Sequence, residues 1–201
     1  MTNKPPEKNA GDSPEKTPPR PADDPQAAVL YGHAWRGDVA ALEEMLANGV
    51  SPDLLSQGES ALMKAAWEGQ TEAVRVLLKY GADPNISSAG AAHTALHKAA
   101  WRGHADIVRL LLDAGASTEA RNKYGNTPLH EAASTGSMKV MEMLIDAGAA
   151  LSARNGWGLD AAGFALRHEQ REAAKYLQLR SLHAIGATPP KPSKPPRPPG
   201  R

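Results

Sequence analysis

The chain contains no cysteine. That excludes disulfide staples, thiol nucleophiles and thiolate metal sites, and it assigns no compartment. It has a single phenylalanine, Phe164, among 201 residues. Apolar runs such as "VRLLLDAG" fall far short of the roughly 20 residues that cross a bilayer. The N-terminus, "MTNKPPEKNAGDSPEK", has no apolar stretch of the kind a secretory signal needs. The expectation is a cytoplasmic protein without membrane association, although export without such a signal fits the same absences. Positive charge is not in excess either: the formal net charge is +1. A nucleic-acid-binding domain with a concentrated basic face is therefore not expected.

Proline is scarce only in the middle. Of 17 prolines, seven lie in residues 1–26 and seven in 183–201, leaving Pro52, Pro84 and Pro128 between them. This divides the chain into a tail (1–26), a body (27–182) and a second tail (183–201). The body is long enough to bury a sizeable core. Formal charges are −1 for the first tail, −2 for the body and +4 for the second, from Lys191, Lys194, Arg197 and Arg201. Both tails have the composition of disordered segments. The second, "TPPKPSKPPRPPGR", carries Pro189-x-x-Pro192-x-Lys194 and Pro196-x-x-Pro199-x-Arg201. Each fits a polyproline II ligand of an SH3-like domain. A Pro/Lys-rich tail also produces such patterns by chance, and a plain solubilising tail is the simpler reading.

What the body does have is a repeat. The phrases "AWRGD" (34–38), "AWEGQ" (66–70) and "AWRGH" (100–104) hold three of the four tryptophans. Their glycines, with Gly136 of "ASTGS", run Gly37, Gly69, Gly103 and Gly136, at steps of 32, 34 and 33 residues. About twelve residues after each comes a second glycine: Gly49, Gly81, Gly115 and Gly148. Two markers with one period point to a repeat architecture. Each unit reads as two short helices. Thr94 can N-cap "TALHKAAWR", which stops at Gly103, and "ADIVRLLLDA" stops at Gly115. Thr127-Pro128 places proline at a first helical position, where its missing N–H costs nothing.

These residues resemble the ankyrin repeat family, whose pattern is roughly G-x-T-P-L-H-x-A-A-x-x-G-H, an apolar helix, then L-L-x-x-G-A-D-x-N. "GNTPLHEAASTGS" matches it, as do "HTALHKAAWRGHADIVRLLLDAGA" and "ESALMKAAWEGQTEAVRVLLKYGADPN". Met63 replaces the motif histidine, Ala61 and Ala95 replace the proline, and the loop "ISSAGAAH" is one residue longer than its counterpart. The resemblance implies an all-α solenoid of about five helix-turn-helix units. The first starts at Asp24-Pro25; the last carries charge on its second helix. Both act as caps, which need a polar outer face.

With Leu96 at zero and 100° per residue, Ala99, Ala100 and Gly103 fall within about 60° and Trp101 about 140° away. Trp67 relates to Leu62, Ala65 and Ala66 in the same way. The tryptophans are therefore expected outside the packed face. The family resemblance further implies a partner-contacting surface at Trp35-Arg36, Trp67-Glu68, Trp101-Arg102 and Ser134-Thr135, with Tyr124 and Trp157 at turn tips. Two readings stay open for the tryptophans. Each ring can lie across the next repeat as packing, or the rings form a ladder about 10 Å apart with gaps for a partner's side chains. Arg36, Glu68 and Arg102 alternate in sign and are expected to pair with one another at little energetic gain.

Seven histidines are present, but they do not suggest a metal site. The resemblance assigns His97 and His130 to hydrogen bonds between turns and His104 to the G-H position. His93 is expected to precede the helix cap, so it need not share a face with His97. No P-loop, dinucleotide fingerprint or Ser/His/Asp arrangement occurs. The expected function is therefore non-enzymatic and free of cofactors: a monomeric module that binds a partner protein. The alternative is a scaffold or regulatory subunit whose C-terminal tail recruits a second, SH3-like partner.

Overall fold

The computed structural model describes residues 24–184. The polyproline patterns and the scaffold reading built on them lie outside those residues, as does the expected disorder of the tails except at 25–26 and 183–184, which are helical. Asp24 starts the fold, its carboxylate accepting from the Gln26 N–H at 2.8 Å ahead of Pro25. Five helix pairs follow. They are α1 (Pro25–Arg36) with α2 (Val39–Ala47), α3 (Ala61–Glu68) with α4 (Thr71–Lys79), α5 (Ala95–Arg102) with α6 (Ala105–Asp113), α7 (Pro128–Thr135) with α8 (Met138–Asp146), and α9 (Ala161–Arg167) with α10 (Arg171–Ala184). A two-residue antiparallel ladder, β1 (Leu55–Ser56) with β2 (Glu59–Ser60), is the sole sheet among the described residues. It closes a turn tip within an otherwise helical solenoid. Among the described residues no helix is long and apolar enough to cross a membrane.

The first helices pack in sequence order, α1 on α3, α5, α7 and α9, with the second helices behind them. Leu62, Ala65 and Ala66, then Leu96, Ala99 and Ala100, then Leu129, Ala132 and Ala133 are all buried. The repeated Ala-Ala lets neighbouring first helices approach closely, and one leucine per turn supplies apolar area. The second helices complete the core with Val74 and Leu77, Ile107 and Leu111, and Met141 and Leu144. At about 1.5–3 kcal/mol for each buried large side chain, this continuous row is the main stabilising element.

The first marker glycines, Gly37, Gly69, Gly103 and Gly136, sit where repeats touch, whereas Gly49, Gly81, Gly115 and Gly148 have open space around them. Gly69 and Gly103 end their helices in the left-handed region, at φ 80° and 72°. A Cβ on Gly69 would lie 2.9 Å from the His104 ring, and one on Gly103 would lie 2.9 Å from Ser137 Oγ. His104 uses that closeness, its Nε2 reaching the Trp67 carbonyl at 3.3 Å.

Helix starts are fixed by capping boxes at Thr94/His97 and Thr127/His130. In each, the imidazole Nδ1 accepts from the threonine N–H at 3.2 Å, while Nε2 donates across to the next turn, to Asn126 O at 3.0 Å or Leu159 O at 3.1 Å. Met63 cannot do this. There, Ser60 Oγ accepts the Met63 N–H at 3.3 Å, and the ladder closes the tip. The extra residue of "ISSAGAAH" is absorbed by a turn in which Ser88 N–H donates to His93 O at 2.8 Å and Ala92 adopts φ 54°.

Tips are tied to one another by backbone hydrogen bonds, from Ala89 N–H to Gly58 O (2.8 Å), Lys123 N–H to Ala91 O (3.0 Å) and Gly156 N–H to Tyr124 O (2.8 Å). On the terminal second helix, Arg171, Glu172 and Lys175 are exposed while Ala173, Ala174 and Leu177 are buried, as a cap requires.

Candidate functional site

Two turn tips share one local grammar, "RNKYG" at 121–125 and "RNGWG" at 154–158. In the first, Asn122 Oδ1 accepts from Tyr124 N–H at 2.9 Å and Asn126 N–H at 3.0 Å. In the second, Asn155 Oδ1 accepts from Trp157 N–H at 3.0 Å and Leu159 N–H at 3.1 Å. Short asparagine side chains compete well for nearby backbone donors, so each one folds its own tip. Arg121 Nη1 then donates to Gly125 O at 3.0 Å and to Arg154 O at 2.7 Å, joining the two tips. Gly125 is at φ 74°, and a Cβ there would lie 2.9 Å from Gly156 N. Tips packed this closely bring their aromatic residues into register. Tyr124 and Trp157 stack at 5.7 Å and 16°, and Trp157 and Phe164 at 6.1 Å and 12°.

Facing this stack are the first helices. Trp67 and Trp101 meet at 4.6 Å between ring centroids, tilted by 42°. Both aromatic groups line one groove of about 550 Å³, which also contains Ser134 and His168. Trp101, Tyr124 and Trp157 keep 45%, 46% and 49% of their surface in solvent. These three rings are therefore partly open to solvent along the groove.

Charge in the groove is sparse and mostly tethered. Glu131 follows the motif histidine on α7, and its side chain is only 12% exposed. Its Oε1 accepts from the amides of Asn122 at 2.8 Å and Asn126 at 3.1 Å. Burial pushes its pKa up, while those two amides pull it back down. Asn122 also donates to His93 Nε2 at 3.1 Å. Burial, then the Lys98 charge, pushes the His93 pKa down and keeps its ring neutral. Lys98 pairs with Glu59 at 2.6 Å and lies 5.2 Å from the Trp67 ring. Arg167 lies 5.2 Å from Trp157. Among the described residues no three His, Asp or Glu side chains converge as a metal site would.

Of the residues singled out from sequence, Trp67, Trp101, Tyr124, Trp157 and Ser134 come together in the groove. Trp35 does not line it; it is 54% exposed, with Lys64 Nζ 5.0 Å from its ring. One expectation is corrected, the mutual pairing of Arg36, Glu68 and Arg102, and two points left open by the sequence gain a geometry. The Trp67 and Trp101 rings lean into contact instead of standing about 10 Å apart, because indoles reach across the gap between backbones. Arg36, Glu68 and Arg102 do not pair with one another. Arg36 binds Asp38 at 2.8 Å, Glu68 binds Lys64 at 2.6 Å, and Arg102 covers Trp67 at 5.3 Å, each taking a partner within its own turn or on a ring of the preceding repeat. His93 does face His97, edge-on at 5.7 Å, because the turn at 88–93 folds it back over the helix start.

Glu131, Asn122, Asn126, Lys98, Phe164 and Arg167 were not singled out from sequence. The recurring Arg-Asn-x-aromatic-Gly is the signal that finds the tips, and the position after the motif histidine finds Lys98 and Glu131.

The model of the ankyrin repeats matches residues 24–88 and 86–155, with three repeat copies in that model. The chain belongs to this family, and α9 and α10 continue the stack past residue 155. Ankyrin repeats are generally protein–protein interaction modules and typically non-enzymatic. Comparison with curated proteins gives no significant match.

Proposed function

We propose that the chain is a cytoplasmic protein-binding module, monomeric on its own, whose partner docks along the groove between the first helices and the turn tips. Trp67, Trp101, Tyr124 and Trp157 form the centre of this surface; Trp35, Arg36, Glu68 and Arg102 extend it toward the N-terminus. What carries the reading is the convergence of half-exposed aromatic rings on one groove, in a chain with so few aromatics. Exposed rings beside charge, able to be desolvated by a partner, are what binding hot spots consist of.

The Trp67–Trp101 contact stabilises the stack as well, so Trp67 is left in place and affinity is read at a temperature where both chains are fully folded. Immobilised full-length chain captures a partner, and its affinity is compared with that of Trp101→Ala/Trp157→Ala. A loss of about 30-fold or more is expected, the effect of removing a hot spot, with the helical circular dichroism at the assay temperature unchanged. Equal affinity for both chains would move the docking face elsewhere.

A further inference from the structure

Glu131 is the one carboxylate lining the groove, and part of its capacity is unused. Glu131 Oε1 already accepts two amide hydrogen bonds, from Asn122 and Asn126. Oε2 of the same carboxylate accepts none among the described residues, yet Glu131 lines the groove. A carboxylate with so little water around it and one empty oxygen favours an incoming donor, above all a charged one. The rings around it have the same preference, since aromatic faces attract cations. The chain's own cations already respond to this: Lys98 and Arg102 lie over Trp67, and Arg167 over Trp157.

Taking the groove to be the docking face, we infer that its occupant is a lysine side chain of the partner protein, with its stem along the aromatic rings and its ammonium on Glu131 Oε2. Three observations narrow the chemistry. An anionic group would meet the Glu131 carboxylate. A guanidinium presents a rigid fork made for two carboxylate oxygens, and here one of the two is already filled by asparagine amides. An ammonium is a compact donor that needs only one acceptor and carries a long apolar stem. Lys98 does not compete for the place, because Glu59 holds it at 2.6 Å.

The probe is Nα-acetyl-lysine methylamide, titrated into full-length protein while the tryptophan indole N–H signals are followed by NMR. The matched arginine compound and the neutral norleucine compound serve as comparisons. The lysine probe is expected to shift the Trp101 and Trp157 signals saturably and to bind about tenfold tighter than norleucine, the scale of one charge-assisted hydrogen bond. Glu131→Gln keeps an acceptor for the two asparagine amides and should reduce lysine binding to the norleucine level. Arg167→Gln, which removes a competing cation from beside the Trp157 ring, should strengthen lysine binding severalfold relative to norleucine.

Norleucine binding as tightly as lysine would overturn the inference, as would arginine binding tighter, or no saturable shift. A lysine shift that appears only in Lys191→Gln/Lys194→Gln would mean that this chain's own tail fills the groove, and the partner assignment would fall. The captured partner separates the two readings. Sensitivity to Trp101→Ala/Trp157→Ala without sensitivity to Glu131→Gln keeps the groove and rejects the ammonium. Insensitivity to the tryptophan changes rejects the groove itself.

Discussion

Acidification from pH 6.5 to pH 4 is expected to remove about 3 kcal/mol of folding stability through His97 alone. The ring is fully buried, and burial pushes its pKa from 6.5 down to about 4, the hydrogen bond to Asn126 O opposing this only in part. Its neutral form fits the site: Nδ1 accepts from Thr94 N–H while Nε2–H donates to Asn126 O. A second proton would turn the acceptor toward a donor and leave a charge in the core.

The sign follows directly. The folded pKa lies below the unfolded one, so stability is complete above pH 6.5 and is lost as pH falls toward 4, at about 1.4 kcal/mol per pH unit. His130 is shifted the same way, chiefly by burial. Glu131 acts oppositely, since its raised pKa favours the folded state at low pH. Urea unfolding at pH 7, 5.5 and 4.5 measures the slope. His97→Met installs the residue found at the equivalent position 63. It should cost about 1–3 kcal/mol at pH 7 by orphaning the Thr94 N–H and make the loss between pH 6.5 and 4 shallower. An unchanged acid slope in that variant would assign the effect to other groups.

Leu96→Ala is expected to destabilise the protein by about 2–5 kcal/mol, the cost of emptying a well-packed leucine site. Leu96 is fully buried at the start of α5, in the middle of the stack. On either side lie α3 and α7, and α6 packs behind. A solenoid is held together by nearest-neighbour contacts, so a cavity here weakens two inter-repeat interfaces at once. Leu30→Ala in α1, equally buried, touches one interface only and should cost less and let the first unit fray. Denaturant midpoints of both variants check this. A loss under about 1 kcal/mol for Leu96→Ala would mean that the neighbouring repeats close the cavity.

The fold was legible because the residues that define it act locally. Asp24, Thr94 and Thr127 announce helix starts by side-chain chemistry, Gly69 and Gly103 announce helix ends by left-handed backbone, and Ala99-Ala100 marks the packed side by size. The period then multiplies each local signal. The groove was only partly legible. The outward placement of Trp101 follows from helix geometry, but the contact between Trp67 and Trp101 depends on how two long side chains lean, which no spacing encodes. The Glu131 cradle was missed for a different reason. Its polar contacts draw on Asn122 and Asn126 in the preceding tip, and Asn155 steadies Asn126 from 29 residues further on, at 2.9 Å. Such a network becomes visible only once repeats are stacked. Phe164 illustrates the same limit: it is nearly buried in α9, yet it extends the Tyr124–Trp157 stack by lying parallel to Trp157.

A partner docked in the groove covers the tips and first helices of the stack and leaves the second helices open. Backbone hydrogen exchange of the full-length chain, with and without the captured partner, reads this directly. The prediction is added protection at the tips 121–126 and 154–159 and along α5 and α7, with α4, α6 and α8 unchanged. Protection confined to those second helices, with the two tips exchanging as before, would contradict it.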